Sequence, residues 1–129
     1  MTLTEMADMI ERRVMEVQKA LALEALRRLV MRSPVDTGYF RNNWQVGEDA
    51  PNTSTRNGPE RSGGSAMSGG ATAIAGSSPE STLYITNSVS YAKRLEQGWS
   101  KQAPAGFVAI TAAEIQQIAD QAVDASRRA

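Results

Sequence analysis

The chain contains no cysteine and no histidine. Their absence excludes disulfides, thiolate nucleophiles, the commonest zinc and copper ligands and the usual general base near neutral pH. The expectation is a protein that is not an enzyme and that holds no metal and no cofactor. An excess of either charge is also lacking: 14 basic residues face 14 acidic ones, so no global field draws the chain to nucleic acid or to an anionic membrane. No stretch approaches the ~20 apolar residues that span a bilayer, and the first residues lack the apolar core of a signal peptide, so a soluble, intracellular protein is expected. Aromatic residues are few, two Trp, three Tyr and two Phe, and the places where they cluster carry weight. With 129 residues the chain is read as a single domain spanning 1–129.

What is present begins with a helix. Over residues 4–32, Leu3, Met6, Ile10, Val14, Val17, Leu21, Ala25 and Leu29 recur at helical spacing on one stripe. Glu11, Arg12, Arg13, Glu16, Lys19, Glu24, Arg27 and Arg28 face outward, while Thr4, Glu5 and Asp8 suit the positive N-terminal end. Pro34 cannot continue the ladder and biases Ser33 away from helical angles. About 29 helical residues make a rod of roughly 43 Å, whereas a compact chain of this size is only about 36 Å across. The rod outruns its own domain. No Pro or Gly interrupts it to supply a kink, so its far end is expected to lie against another subunit.

Three of the seven aromatic residues, Tyr39, Phe40 and Trp44, sit in the dozen residues "SPVDTGYFRNNW" that follow the helix. Residues 47–80 then hold most of the glycines, three of the five prolines, many serines and no aromatic residue. Such a composition buries too little apolar surface to offset its ordering entropy, and the segment reads as a long mobile loop. Residues 81–87, "STLYITN", alternate β-branched or aromatic with polar side chains and read as a strand. Its expected partner is a strand starting near Asn43, the two forming a hairpin connected by the long loop. In "SVSYAKRLEQG", Val89, Ala92 and Leu95 have helical spacing, Ser88 or Ser90 is the candidate N-cap, and Gly98 stands where a left-handed residue ends a helix. Residues 107–128 form a second amphipathic pattern with Phe107, Ile110 or Thr111, Ile115, Ile118, Ala122 and Ala125 inward and Arg127 and Arg128 at the negative end. The fold class is therefore α+β: long N-terminal helix, small antiparallel sheet with a long Gly/Ser-rich loop, short helix and C-terminal helix.

Four local motifs invite chemistry. "GGSAMSGG" lacks the Lys-Ser/Thr ending and flanking elements of a phosphate-binding loop and reads as flexible linker. Ser100 and Lys101 are adjacent in sequence, and neighbouring side chains rarely point together as a nucleophile pair needs. Asp36, Thr37 and Gly38 match the triplet of aspartic proteases, but here they follow a helix and a proline, and one copy would work only in a dimer. The preferred reading makes Asp36 a turn cap whose carboxylate accepts from the Gly38 and Tyr39 amides. Arg12, Arg13, Arg27, Arg28 and Arg32 could mark a nucleic-acid face; the acids interleaved among them favour a solvated helix face or ion pairs between subunits.

In order and spacing, "SPVDTGYFRNNW", then "YITNSVSYAKRLEQGWSKQAPAGFV", then a terminal helix, resemble the tail-completion or neck proteins of long-tailed bacteriophages, also called minor tail or head-tail joining proteins. The matching pattern is a Pro-Val-Asp-Thr-Gly turn from Pro34 to Gly38, then Phe40 with Arg41, Trp44, Asn87, Tyr91 with Ala92, Glu96, Gly98, and an Ala-Pro-x-Gly stretch from Ala103 to Gly106. It covers nearly the whole chain except the loop over 47–80, which is unusually long for the family. The resemblance implies a structural virion protein: a homo-oligomeric ring of six subunits at the head-proximal end of the tail, joining the tail tube to the head connector. DNA would pass through it without sequence-specific binding. Assembly would take place in the host cytoplasm. Two alternatives stay open, a tail terminator ring capping the tail tube and a nucleic-acid-binding protein. Within such a subunit, Pro34, Asp36 and Gly38 are expected to turn the chain so that Phe40 and Trp44 bury against Tyr91, Leu95 and the base of the long helix. Arg41 is expected to pair with Glu96. Met6, Ile10, Val14, Val17 and Trp99 are the candidate subunit interface.

Overall fold

A computed structural model describes residues 1–128, with side chains through residue 125. The elements in chain order are α1 (Leu3–Arg32), a 3-10 turn (Arg41–Asn43), β1 (Trp44–Glu48), α2 (Gly64–Ala75), β2 (Leu83–Asn87), α3 (Ala92–Glu96) and α4 (Val108–Arg128). The architecture is α+β, four helices around a two-stranded antiparallel sheet.

Helix α1 runs without interruption for 30 residues, a rod of about 45 Å. Its start lies slightly earlier than the sequence pattern implies. Thr2 is the N-cap: its Oγ1 accepts from Glu5 N at 3.1 Å, and its own amide donates to Glu5 Oε2 at 2.7 Å. These reciprocal bonds satisfy two donors that a helix end leaves without partners. At the other end Ser33 turns to extended angles before Pro34, and its amide donates to Leu29 O and Val30 O.

β1 and β2 pair with Trp44 opposite Asn87 and Glu48 opposite Leu83, which is the expected hairpin. The expectation of a structureless connection over 47–80 is corrected. Residues Gly64–Ala75, including the whole of "GGSAMSGG" from Gly64 on, form helix α2, which packs against both α1 and β1. Ala66 and Ile74 are buried in the core, one face of the helix being built from Ala66, Gly70 and Ile74 at a spacing of four. A Cβ added to Gly70 would lie 2.3 Å from Leu26 Cδ2. Gly70 therefore serves close approach of two helices, not flexibility. Glu60 caps the start of α2, accepting from Ser65 N at 2.9 Å and Ser65 Oγ at 2.6 Å.

The core gathers Leu26, Leu29 and Val30 of α1, Phe40, Trp44 and Val46, Ala66 and Ile74 of α2, and Phe107. Its centre is aromatic. Phe40 lies 5.9 Å from Trp44 and 5.7 Å from Phe107, ring centre to ring centre, and Trp44 lies 6.1 Å from Phe107, all edge to face. This geometry places the positive ring edge on the negative ring face.

Helix α4 returns antiparallel along α1. Arg32 donates to Thr111 Oγ1 at one end, and Val14 and Val17 line a groove with Ala119 and Ala122 toward the other. Thr111 is the inward residue of its turn and Ile110 is 41% exposed. Ile115, Ile118 and Ala122 are half-buried as the periodicity implies, whereas Ala125, expected inward, is exposed. The side chains of Arg127 and Arg128 lie outside the described residues.

Candidate interaction surface

Most polar side chains of the stretch 33–44 can be followed to partners, the Nε of Arg41 being buried without one. Ser33 Oγ donates to Leu29 O at 2.6 Å and accepts from Trp44 Nε1 at 2.7 Å. Asn42 Oδ1 accepts from Ala66 N at 2.9 Å. Asn43 Nδ2 donates to Tyr39 O and Arg56 O. Pro34 and Gly38 are buried; Gly38 has φ +92°, and a Cβ there would sit 2.2 Å from the Glu60 carbonyl carbon. Phe40 and Trp44 are buried as expected, and Leu95 packs on the same core, whereas Tyr91, expected in the core, is 39% exposed and meets it only at its edge, 6.0 Å from the Phe40 ring. The stretch is thus the junction that ties α1, the sheet and α2 together.

Two proposed roles within it are corrected. Asp36 is exposed, and the Tyr39 amide donates instead to Thr37 Oγ1 at 3.2 Å; threonine, one residue closer, closes the turn. The Arg41–Glu96 ion pair does not form. Arg41 donates to Met31 O, Ser33 O and Arg61 O, capping the C-terminal carbonyls of α1. The Glu96 carboxylate accepts from the amides of Phe107, Val108 and Ala109 at 2.7, 2.8 and 2.9 Å, capping the N-terminal end of α4. Both charges found backbone partners at helix ends. Partial burial pushes the Glu96 carboxyl up, and the three amide bonds outweigh it, leaving its pKa below the ordinary value.

The arginines of α1 are also placed. Arg27 and Arg28 both bind Glu24, at 2.6 and 2.7 Å, and Arg28 and Arg32 both bind Glu114 of α4. Hydrogen bonds from Arg27 and then Arg28 hold the Glu24 carboxyl at about 2, and the Arg32 bond leads in lowering Glu114. These three arginines share two carboxylates within the chain, so their charges are largely offset by ion pairs and they do not stand as a bare cationic face. Ser100 Oγ accepts from Gln102 N at 3.1 Å, which gives it a turn-forming role beside Lys101. Among the described residues no group of three or more acidic side chains is placed to hold a metal ion, and no helix is long and apolar enough to cross a membrane.

The apolar stripe of α1 divides in two. Leu26, Leu29 and Val30 are buried, and Leu21 and Ala25 half-buried. Toward the N-terminus the same face opens: Val17 is 45% exposed, Val14 57%, Ile10 59% and Met6 43%. On the side of α2 and β2 the chain's own cover ends near Gln18 and Lys19, which donate to Ser81 O and Ala75 O, while α4 reaches as far as Val14 and Val17 through Ala119 and Ala122 and leaves them partly open. Trp99 is 69% exposed at the other end of the molecule, on a loop held rigidly in place. Gln102 bonds both backbone groups of Val35, at 2.9 and 2.7 Å, Trp99 N donates to Arg94 O, and Gly98 before it takes the expected left-handed turn with φ +88°. The exposed residues proposed as an interface thus form two separate surfaces. Comparison with protein families, with curated proteins and with solved structures finds no match to this chain.

Proposed function

We propose that this chain is a structural subunit of a phage neck, forming a homo-oligomeric ring at the head-proximal end of a tail, where it joins the tail tube to the head connector around the DNA channel. The observation that carries the reading is the open half of the α1 stripe. Met6, Ile10, Val14 and Val17 lie on one face of a continuous rod and remain 43–59% exposed. Covering four such side chains is worth several kcal/mol at about 25 cal/mol per Å², and a sister subunit is the source of cover that a ring supplies. The order of the motifs from Pro34 to Gly106, which resembles the tail-completion family, supports the location in the virion. The rigid turn built by Ser33, Gly38, Asn42 and Asn43 supports a role in which shape is held, since every one of these groups serves packing or backbone bonding.

Negative-stain microscopy of the purified chain, alone and mixed with phage tails that lack heads, tests the reading. Rings with an open lumen, seated on the head-proximal tail end, are expected. Particles that never exceed one subunit and never decorate tails would contradict it.

A further inference from the structure

We infer that the subunits associate head to tail: the projecting N-terminal tip of α1 from one copy seats on the Trp99 platform of the next copy. This rests on the oligomeric reading above and adds which two surfaces meet.

The two surfaces are unlike in charge and far apart. The tip presents Leu3, Met6 and Ile10, all exposed, beside Glu5, Asp8 and Glu11, and no basic side chain occurs before Arg12. The platform segment presents Trp99 with Arg94 over its ring, and Lys93 and Lys101, close in sequence, are exposed as well. Arg94 stacks over the indole at 5.1 Å from its centre, a cation–π contact that orients the ring. The platform's own acid is spent, because the carboxylate of Glu96 is engaged by the α4 amides. Asp36 lines the same cleft as Tyr91 and Ser100, beside the platform.

Geometry prevents the two from meeting within one molecule. Gln102 fastens the platform loop to Val35, three residues beyond the last residue of α1, so the platform sits at the C-terminal end of a rod about 45 Å long. The tip is at the opposite end. A contact of like with like would set tip on tip, acid against acid, or platform on platform, base against base, and like charges at close range repel; a two-fold pair that sets each tip on the other's platform stops at a dimer, which is not the ring proposed above. Tip on platform instead places Asp8 and Glu11 against Lys93, Arg94 and Lys101, and lays Met6 and Ile10 on the indole. Aromatic and arginine side chains on a rigid support are what binding hot spots use. Made once per neighbour, such a contact leaves one tip and one platform free after every addition and closes by forming a ring, whereas a reciprocal pair is complete at two subunits.

The test uses full-length chains carrying substitutions at exposed positions only. A tip variant, Asp8→Lys with Ile10→Lys, keeps an intact platform; a platform variant, Arg94→Glu with Trp99→Ala, keeps an intact tip. Circular dichroism and thermal melting confirm that both fold. By native mass measurement each variant alone is expected to be monomeric, and an equimolar mixture is expected to give a heterodimer and nothing larger. A mixture that stays monomeric while the wild type assembles overturns the head-to-tail contact and leaves the ring reading standing, as does either variant assembling like the wild type. The wild type is expected to exceed a dimer; one that stops at a dimer overturns the head-to-tail contact, and one that is itself monomeric overturns both.

Discussion

The indole N–H of Trp44 donates to the hydroxyl of Ser33 at 2.7 Å, and that hydroxyl donates onward to Leu29 O at 2.6 Å. One small side chain therefore joins the first β-strand to the last turn of a 30-residue helix. Ser33 is 2% exposed and Trp44 4%. Ser33→Ala strands the indole donor away from water and should cost about 1–3 kcal/mol. Trp44→Ala should cost about 3–5 kcal/mol. Denaturant unfolding checks both, with the midpoint moving and the slope unchanged.

Gly70 supplies a second test of packing. Its missing Cβ leaves room for Leu26 Cδ2, so Gly70→Val should destabilise by about 1–3 kcal/mol through overpacking. Paired with Leu26→Ala, which vacates the same space, the combined cost should fall below the sum of the single costs. Equal sums would show that α2 does not press on α1 there.

The separation of Arg41 from Glu96 predicts additivity. Arg41→Ala removes the cap on the α1 carbonyls and should cost about 1.5–3 kcal/mol. Glu96→Ala removes the cap on the α4 amides, worth about 0.5–2 kcal/mol. Since the two share no partner, the double variant should match the sum within about 0.5 kcal/mol. A larger coupling in a double-mutant cycle would restore the ion pair.

Acid should weaken the fold through its depressed carboxylates. Glu24, Glu96 and Glu114 all have folded pKa values below the ordinary 4.5. The unfolded chain therefore takes up protons first, and the stability these groups contribute is present above pH 4.5 and lost as pH falls. Glu24 sets the lower edge of that window, at about 2. Its pairs are partly exposed, so the effect is modest and screened by salt. Thermal melts taken from pH 4.5 downward should show a falling midpoint, and Glu24→Gln should flatten the lowest part of the curve.

How far the sequence foretold this arrangement depends on side-chain size. α1, α4 and the hairpin are legible because Leu, Ile, Val and Tyr mark their periods in large apolar residues. α2 was hidden because its inward face is Ala66, Gly70 and Ile74, two of the three too small to register as hydrophobic, in a segment whose glycines suggest freedom of the chain. A spacing of four through small residues was the available signal. The aromatic junction of Phe40 and Trp44 is legible, since few other large side chains exist to fill a core; the periodicity of the last helix points its third ring, Phe107, inward but does not name the rings it meets. The roles of Arg41, Glu96 and Arg56 were not legible. Each charge satisfies backbone groups exposed by a helix end or a loop, and Arg56, which donates to Asn42 O at 2.9 Å and Trp44 O at 3.0 Å, does so across a distance that no local pattern encodes.

The account stands or falls on whether the open half of the α1 stripe is covered by a sister molecule. Sedimentation velocity of the wild type beside Val14→Lys tests this most directly, because Val14 is 57% exposed in the single chain and circular dichroism reports whether its replacement at the edge of the α1–α4 groove keeps the fold. The account predicts a closed oligomer for the wild type and a folded monomer, with an unchanged circular dichroism spectrum, for the variant. A wild type that sediments as a monomer at every concentration, or a Val14→Lys chain that assembles as the wild type does, would contradict it.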